Sequence, residues 1–233
     1  MECGWVDGRL IGRVAFRNIV SAVLGLLAAL TVPELAAAGN SSRLSVVPRS
    51  SSGHPRLARG KFLVANRSLV DPTFAEAVVL LVDYDDNGAL GVVVNRPTEV
   101  PLVAALPEVK ELRQRADRIY IGGPVSRDRM VLLVRAHAQP PQSVEVFEHV
   151  FATGSLTTLR RSLGKKDAVR AYAGYAGWGP GQLEVEVDRG DWLIGPADSK
   201  AIFDDPAPDV WSRFLERFAG DWAALSLPTA ATF

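Results

Sequence analysis

The stretch from Ala77 to Val94, AVVLLVDYDDNGALGVVV, carries the clearest structural signal in this chain of 233 residues. Two apolar runs rich in β-branched residues flank the pair Asn87-Gly88, and both of these residues tolerate the positive φ of a tight primed turn. The stretch therefore predicts a β-hairpin. Because neither run alternates with polar residues, we expect the hairpin to be covered on both faces and to lie centrally in its sheet.

Outward from this hairpin, short apolar runs bounded by turn residues predict further strands, and apolar residues at helical spacing predict helices. Strands outnumber helices and hairpins recur, so the predicted class is α+β, with one domain and a mixed or largely antiparallel sheet. Besides the hairpin, the predicted strands are 62–65, 119–121, 131–134, 144–151 and 169–173. The predicted helices are a short one before Pro107 with a further turn after it, 156–163, 198–203 and 209–218.

The N-terminal region differs from the rest in composition. Arginines precede an apolar run at 19–32, and small residues follow it, which predicts a signal peptide or apolar targeting segment over 1–38 and hence export or membrane targeting. Residues 39–59 are basic and rich in Ser, and they predict a disordered linker; together with Lys61 they could make weak contact with a membrane surface. A basic flank also opposes translocation, and a buried helix or an over-long gene model are the alternatives for 1–38. The folded domain is assigned to 60–233.

Charge and cysteine content exclude several classes. Of the 26 basic and 26 acidic residues, seven and three lie in 1–59, which leaves 19 basic and 23 acidic, a net charge of −4, in 60–233. A domain of that charge lacks the basic stripe that phosphate contact requires, so direct binding of nucleic acid is not expected. The single cysteine can form neither an internal disulfide nor a thiolate-rich metal site.

Four stretches point to a known family when they are taken together: 68–74 (SLVDPTF), 88–97 (GALGVVVNRP), 122–125 (GGPV) and 174–184 (GYAGWGPGQLE). In this order and spacing they resemble the AlgH/YqgE family of bacterial proteins, over roughly 60–218. The resemblance implies a flattened, barrel-like sheet flanked by helices and, as is usual for that family, a cytoplasmic location. It implies no reaction, and a role in transcriptional control of exopolysaccharide genes has been suggested for one branch. Asn66-Arg67 departs from the pattern, because a Met-Pro pair is usual there.

The residues that carry the resemblance also suggest a binding groove. Arg96 could form a bidentate clamp on a carboxylate or phosphate, or it could pair internally with Asp71 or Glu184. The glycine-rich segment after residue 173 is either a sharp turn that lets Trp178 pack or a loop that holds an anion at the start of a helix. The residues that follow alternate between apolar and acidic, which is typical of a strand. The family resemblance favours the helix. The candidate groove comprises Asp71, Asn95, Arg96, Gly122, Gly123, Pro124, Gly174, Tyr175, Gly177, Trp178, Gln182 and Glu184.

Catalytic patterns are weak in this sequence. His137 and His149 have no neighbouring metal-ligand pattern, Ser126 is not in a nucleophile elbow, and Glu184 and Glu186 are expected on a solvated face. We therefore predict no catalytic residue, no metal site and no cofactor, although an enzyme remains an open possibility. The leading hypothesis is a non-enzymatic binding or regulatory module that takes an unknown protein or a small anionic ligand. The alternative is a small-molecule hydrolase or transferase that uses the groove near Arg96 and Trp178.

Overall fold

The structure, a computed structural model, describes the backbone of residues 56–225 and the side chains of residues 56–219. The predicted targeting segment, 1–38, and nearly all of the predicted linker, 39–59, lie outside the described residues. Within the described part, no helix combines the length and the hydropathy that a membrane span needs.

The described residues form ten strands and five α-helices, with a 3-10 turn at Lys110–Leu112. The strands are β1 (Lys61–Ala65), β2 (Val78–Asp85), β3 (Gly88–Val93), β4 (Pro97–Pro101), β5 (Arg118–Ile121), β6 (Val125–Arg135), β7 (Val144–Phe147), β8 (Val150–Thr153), β9 (Ala168–Trp178) and β10 (Trp192–Pro196). The helices are α1 (Leu102–Ala105), α2 (Leu156–Gly164), α3 (Gln182–Asp188), α4 (Ser199–Phe203) and α5 (Ala207–Leu225).

The strands make one curled sheet in the order β10-β1-β2-β3-β9-β6-β8-β7, with β5 beside β9 and β4 beside β5. The pairs are antiparallel except for β5 with β9, which is parallel. The sheet curls until β7 approaches the start of the domain, where Arg59 reaches both Asp83, at 2.6 Å, and the carbonyl oxygen of Glu145, at 3.5 Å. The predicted α+β class with a mixed, mainly antiparallel, barrel-like sheet is confirmed.

The hairpin of β2 and β3 is buried on both faces, as its apolar runs predict. On one face Leu80 and Val92 belong to a cluster that includes Phe214 and Phe218 of α5. On the other face the alternate residues belong to a second cluster, which contains Trp178 and Trp192. Burial on two faces explains why these strands do not alternate with polar residues.

The turn of this hairpin differs from the predicted primed type. Asn87 does not have a positive φ; it donates its backbone N–H to Asp85 Oδ1 at 2.7 Å, and only Gly88 has a positive φ, of 125°. A Cβ at Gly88 would lie 2.1 Å from the carbonyl oxygen of Trp178, so the close approach of β9 requires glycine at this position.

A turn with positive φ at both central residues occurs elsewhere. The single strand predicted over 144–151 is in fact two strands, β7 and β8, joined at Glu148 and His149, whose φ values are 27° and 65°. The carboxylate of Glu145 accepts the backbone N–H of His149 at 3.2 Å and so helps to hold the turn. Neither turn residue is a glycine, which is why the sequence gives no hairpin signal here.

The other predicted elements are found, but some bounds differ and two strands, β4 and β10, were not predicted. The strand predicted over 169–173 continues to Trp178, so residues 174–178 are part of β9 and not a turn after it. Strand β10 contains Gly195. A Cβ at Gly195 would lie 2.0 Å from the ring of Phe218, so this glycine serves helix packing.

The contact between Arg135 and Asp204 anchors the end of α4 and gives a pH-dependent prediction. Arg135 donates two hydrogen bonds to Asp204, at 2.6 and 2.9 Å, and they hold the pKa of Asp204 below its ordinary value of 3.8. A carboxyl group whose pKa is lower in the folded chain stabilises the fold above its unfolded pKa, and this contribution is lost as the pH falls through the folded pKa.

We therefore expect Asp204→Asn to be slightly less stable than the wild type at neutral pH and to lose less stability below about pH 3.8. The difference is small because exposed ion pairs are screened by water. Urea unfolding at neutral and acidic pH measures it, and equal losses in the two proteins would contradict the prediction.

Candidate functional site

Arg96 fastens a loop to the sheet. Its Nη1 donates to the carbonyl oxygen of Thr73 at 2.5 Å, and its Nη2 donates to that of Ala75 at 2.9 Å. Burial and then the nearby charge of Arg127 lower the pKa of the Arg96 guanidinium, while Asp71 acts in the opposite direction. Both predicted states of Arg96 were therefore wrong: its guanidinium is not free, and its hydrogen-bond acceptors are backbone carbonyls and not a carboxylate.

The residue between the two bonded carbonyls, Phe74, connects Arg96 to Trp178. Its ring stacks on Trp178 with a centroid distance of 6.1 Å and meets Trp192 edge-on at 5.5 Å. Arg96 and Trp178 thus belong to the same region, as the groove hypothesis requires, but the segment around Phe74 packs between them.

The loop that contains Phe74 comprises residues 66–76, and we call it the latched loop. Further polar contacts hold it in place. Asn95 donates to the carbonyl oxygen of Glu76 and accepts the backbone N–H of Val78, both at 2.9 Å. Asn66 donates to the carbonyl oxygen of Gly190 at 2.9 Å, so the asparagine that departs from the family pattern is an anchor.

Asp71 lies in the exposed part of the latched loop. It accepts the backbone N–H of Thr73 at 2.6 Å and so forms an N-cap-like turn. No regular helix follows this turn, because residues 72–76 form only turns.

The predicted glycine segments meet through their backbones. A Cβ at Gly122 would lie 2.3 Å from the carbonyl oxygen of Gly174, and one at Gly123 would lie 2.1 Å from the carbonyl carbon of Tyr175. The carbonyl oxygen of Arg96 accepts the backbone N–H of Ile121 at 2.8 Å, next to Gly122. Asn95 and Arg96, Gly122 and Gly123, and Gly174 and Tyr175 are therefore brought together, while Pro124 remains exposed.

The glutamates of α3 contribute to this packing. Glu186 Oε2 accepts hydrogen bonds from the indoles of Trp178 and Trp192, both at 2.9 Å, and its Oε1 accepts one from Gln182 at 3.0 Å. Glu184 accepts a hydrogen bond from the Tyr84 hydroxyl at 2.7 Å. Both glutamates are half-buried and hydrogen-bonded, so the solvated face predicted for them was only partly right, whereas the helix itself is confirmed.

Gly177, the last of the candidate residues, is exposed on β9, opposite Leu90 in the strand register. The important residues that sequence reasoning missed are Phe74, Glu186 as a hydrogen-bond acceptor, and Trp192. The chain offered no periodic pattern that would have singled them out, since their contacts join segments far apart in sequence.

The chemistry of this region is therefore mainly structural. Arg96, Asn95 and Glu186 hold a loop and two tryptophans in place. Among the residues whose side chains are described, no group of three His, Cys, Asp or Glu could hold a metal ion. Just before helix α3, the backbone N–H of Gly179 donates to Gln182 Oε1 at 3.1 Å, so this N–H of the glycine-rich segment already has an acceptor.

A single α+β domain with a curled, half-barrel sheet is the class of protein that these features define. The chain belongs to the AlgH-like family, whose model matches residues 62–223. The resemblance drawn from the four sequence stretches is thereby confirmed.

Similar proteins agree with this assignment. A UPF0301 protein of Mycobacterium tuberculosis strain H37Rv is 36% identical over 167 residues, which cover 70% of this chain and 83% of the relative. The solution structure of AlgH from Pseudomonas aeruginosa is 30% identical, with a TM-score of 0.57 and coverage of 78% of this chain and 97% of that chain. A crystal structure of a Corynebacterium diphtheriae protein, 23% identical, has the same fold, with a TM-score of 0.61 and coverage of 78% and 96%.

Proposed function

We propose that this chain is a non-enzymatic binding module that regulates through a protein partner and recognises that partner with the latched loop. The observation that carries the proposal is that Val70, exposed to 86%, stands on a loop fastened by Arg96, Asn95 and Asn66. A single exposed valine is ordinary, but an exposed valine on a loop that is held in one conformation is a preorganised contact for a binding partner.

The latched loop separates its anchored residues from its exposed ones. Leu69 and Phe74 pack against the cluster that contains Trp178, whereas Arg67, Val70 and Asp71 are exposed. Because the anchors already fix the backbone, a partner would lose little conformational entropy when it docks on the exposed residues. An apolar centre between a cation and an anion suits a protein surface of mixed polarity.

Regulation through a protein suits the charge of the domain better than direct contact with nucleic acid, because residues 60–233 carry a net charge of −4. The alternative, a hydrolase or transferase in the groove near Arg96 and Trp178, has less support. A reacting group would need Arg96, Glu184 or Glu186 to bind substrate or move a proton, and each of these already holds a structural partner.

The test is partner binding by matched valine variants. Full-length protein is used to isolate partners from native cells, and the affinity of each purified candidate is then measured. Val70→Asp is expected to weaken the true partner about tenfold or more. The control Val185→Asp places the same change at a valine of α3 that is 61% exposed, and it should bind like the wild type.

Arg96→Gln is a second variant for the same binding measurement, because it loosens the latched loop without changing the residues that the loop exposes. Weaker binding by Arg96→Gln, in protein that is still folded by circular dichroism, would support recognition by the fixed loop. A partner that binds wild type, Val70→Asp and Arg96→Gln equally well would overturn the proposal.

A further inference from the structure

A cavity lies on another part of the molecule, where β5 and β9 run parallel. Strand β9 begins before its first pairing with β5, at Ala171 and Ile119, so Ala168 and Val169 extend beyond β5 and Arg170 lies level with Arg118. The end of α4 closes the space, and the cavity volume is about 270 Å³. Its polar and aromatic lining consists of Arg115, Asp117, Arg118, Tyr120, Arg170 and Phe203.

The lining is positively charged although the domain is acidic. Three arginines and one aspartate give it a formal charge of +2. Arg115 is paired with Asp117 at 2.5 Å. Arg118 contacts Glu99 at 2.5 Å, but these side chains are 52% and 92% exposed, so water screens the pair and leaves Arg118 available to a ligand.

Arg170 is the central cation of the cavity. It donates to the Tyr120 hydroxyl and, at 2.8 Å, to the carbonyl oxygen of Phe203, and its guanidinium lies 4.7 Å from the centroid of the Tyr120 ring. Within the described part of the chain, no carboxylate forms an ion pair with Arg170; Asp204, which Arg135 binds, is its more distant acidic neighbour. The guanidinium is therefore fixed while its charge has no direct counter-ion.

From this arrangement we infer that the cavity is a binding site for a small dianion, held by Arg170 and Arg118. The guanidinium of Arg170 has five N–H donors, of which the Tyr120 hydroxyl and the carbonyl oxygen of Phe203 accept two, so three remain for a phosphate or a carboxylate that enters the cavity. A dianion that replaces Glu99 as the partner of Arg118 would balance the charge of +2 on the lining. The volume suits a small phosphate ester or dicarboxylate and is too small for a dinucleotide. This site is separate from the latched loop and does not depend on the proposed protein partner.

Anion titration of the full chain tests the site. Inorganic phosphate and succinate are titrated separately, with chloride at matched ionic strength as the control, and backbone amide shifts are followed by NMR. We expect saturable shifts around residues 115–120, 168–170 and 203 with at least one dianion. The dianion that binds more tightly shows whether the site prefers a phosphate or a dicarboxylate. No saturable shift, or the same shifts with chloride, would overturn the inference.

Two arginine variants locate the binding. Arg170→Gln is expected to weaken dianion binding about tenfold or more. Arg161→Gln is the matched control, because Arg161 lines a second cavity, of about 340 Å³, with Lys165 and Asp167. If Arg161→Gln abolishes binding while Arg170→Gln does not, the anion binds in the second cavity and the inference fails.

Arg118→Gln provides a second test of the site in case Arg170→Gln does not fold. Arg118 is mostly exposed and contacts only an exposed glutamate among the described side chains, so its loss should leave the fold intact. A smaller but measurable loss of dianion affinity in Arg118→Gln is expected, and an unchanged affinity would count against the site.

Discussion

Gly123→Ala is expected to lower the free energy of unfolding by about 3 kcal/mol or more, one of the two largest effects that the structure predicts. A Cβ at this position would lie 2.1 Å from the carbonyl carbon of Tyr175 and 2.4 Å from the backbone nitrogen of Ala176. Those are backbone atoms of a buried strand, so no side-chain rotation relieves the overlap. Loop and strand would have to separate where the candidate residues converge.

The control for this prediction is Gly164→Ala. Gly164 ends α2, and a Cβ there would meet no atom within 4 Å. Alanine is favoured over glycine in a helix by about 1 kcal/mol, so this variant should be neutral or slightly more stable. Urea unfolding of both variants gives the comparison. Equal stability of Gly123→Ala and the wild type would show that the two glycine segments are not in close contact.

Glu186→Ala is expected to cost about 2–6 kcal/mol, because the indole N–H groups of Trp178 and Trp192 would both lose their acceptor at buried positions. Each unsatisfied buried donor costs about 1–3 kcal/mol. Glu186→Gln keeps one amide oxygen as an acceptor and should lose less. Tryptophan fluorescence should shift in both variants, because the surroundings of these indoles change.

Glu216→Ala is the control for this second prediction, since Glu216 is exposed on α5 and the change should stay within about 0.5 kcal/mol. If Glu186→Ala were no less stable than Glu216→Ala, then Glu186 would not be the acceptor that holds the two tryptophans.

The elements of this fold could be predicted where a local pattern determines them. The apolar runs of β2 and β3 indicated a hairpin covered on both faces, and apolar residues at helical spacing indicated a helix over 209–218, in which Val210, Phe214 and Phe218 are buried. The 144–151 hairpin and β10 were missed for different reasons. The turn at Glu148 and His149 has positive φ at residues other than glycine, whereas Gly195 is required by its contact with Phe218, which is far away in the sequence.

For the candidate site, the sequence could predict which residues lie near one another but not which contacts they make. The motifs that resemble the AlgH/YqgE family placed Asn95, Arg96 and the glycines in one region, and the structure brings them together. The partners of Arg96 could not be predicted, because its acceptors are backbone carbonyls and a carbonyl has no sequence signature. The Arg170 cavity could not be predicted, because it depends on the parallel pairing of β5 with β9.

Among the residues whose side chains the structure describes, the guanidinium at position 96 binds main-chain oxygens and no side chain, which has a consequence for how this region can vary. The residues at 73 and 75 can change identity without breaking the fastening, because every amino acid supplies the same oxygen. Position 96, by contrast, needs a planar group with two diverging donors, and lysine would reach only one of the two oxygens. A mutational scan should therefore tolerate many residues at 73 and 75 and few at 96.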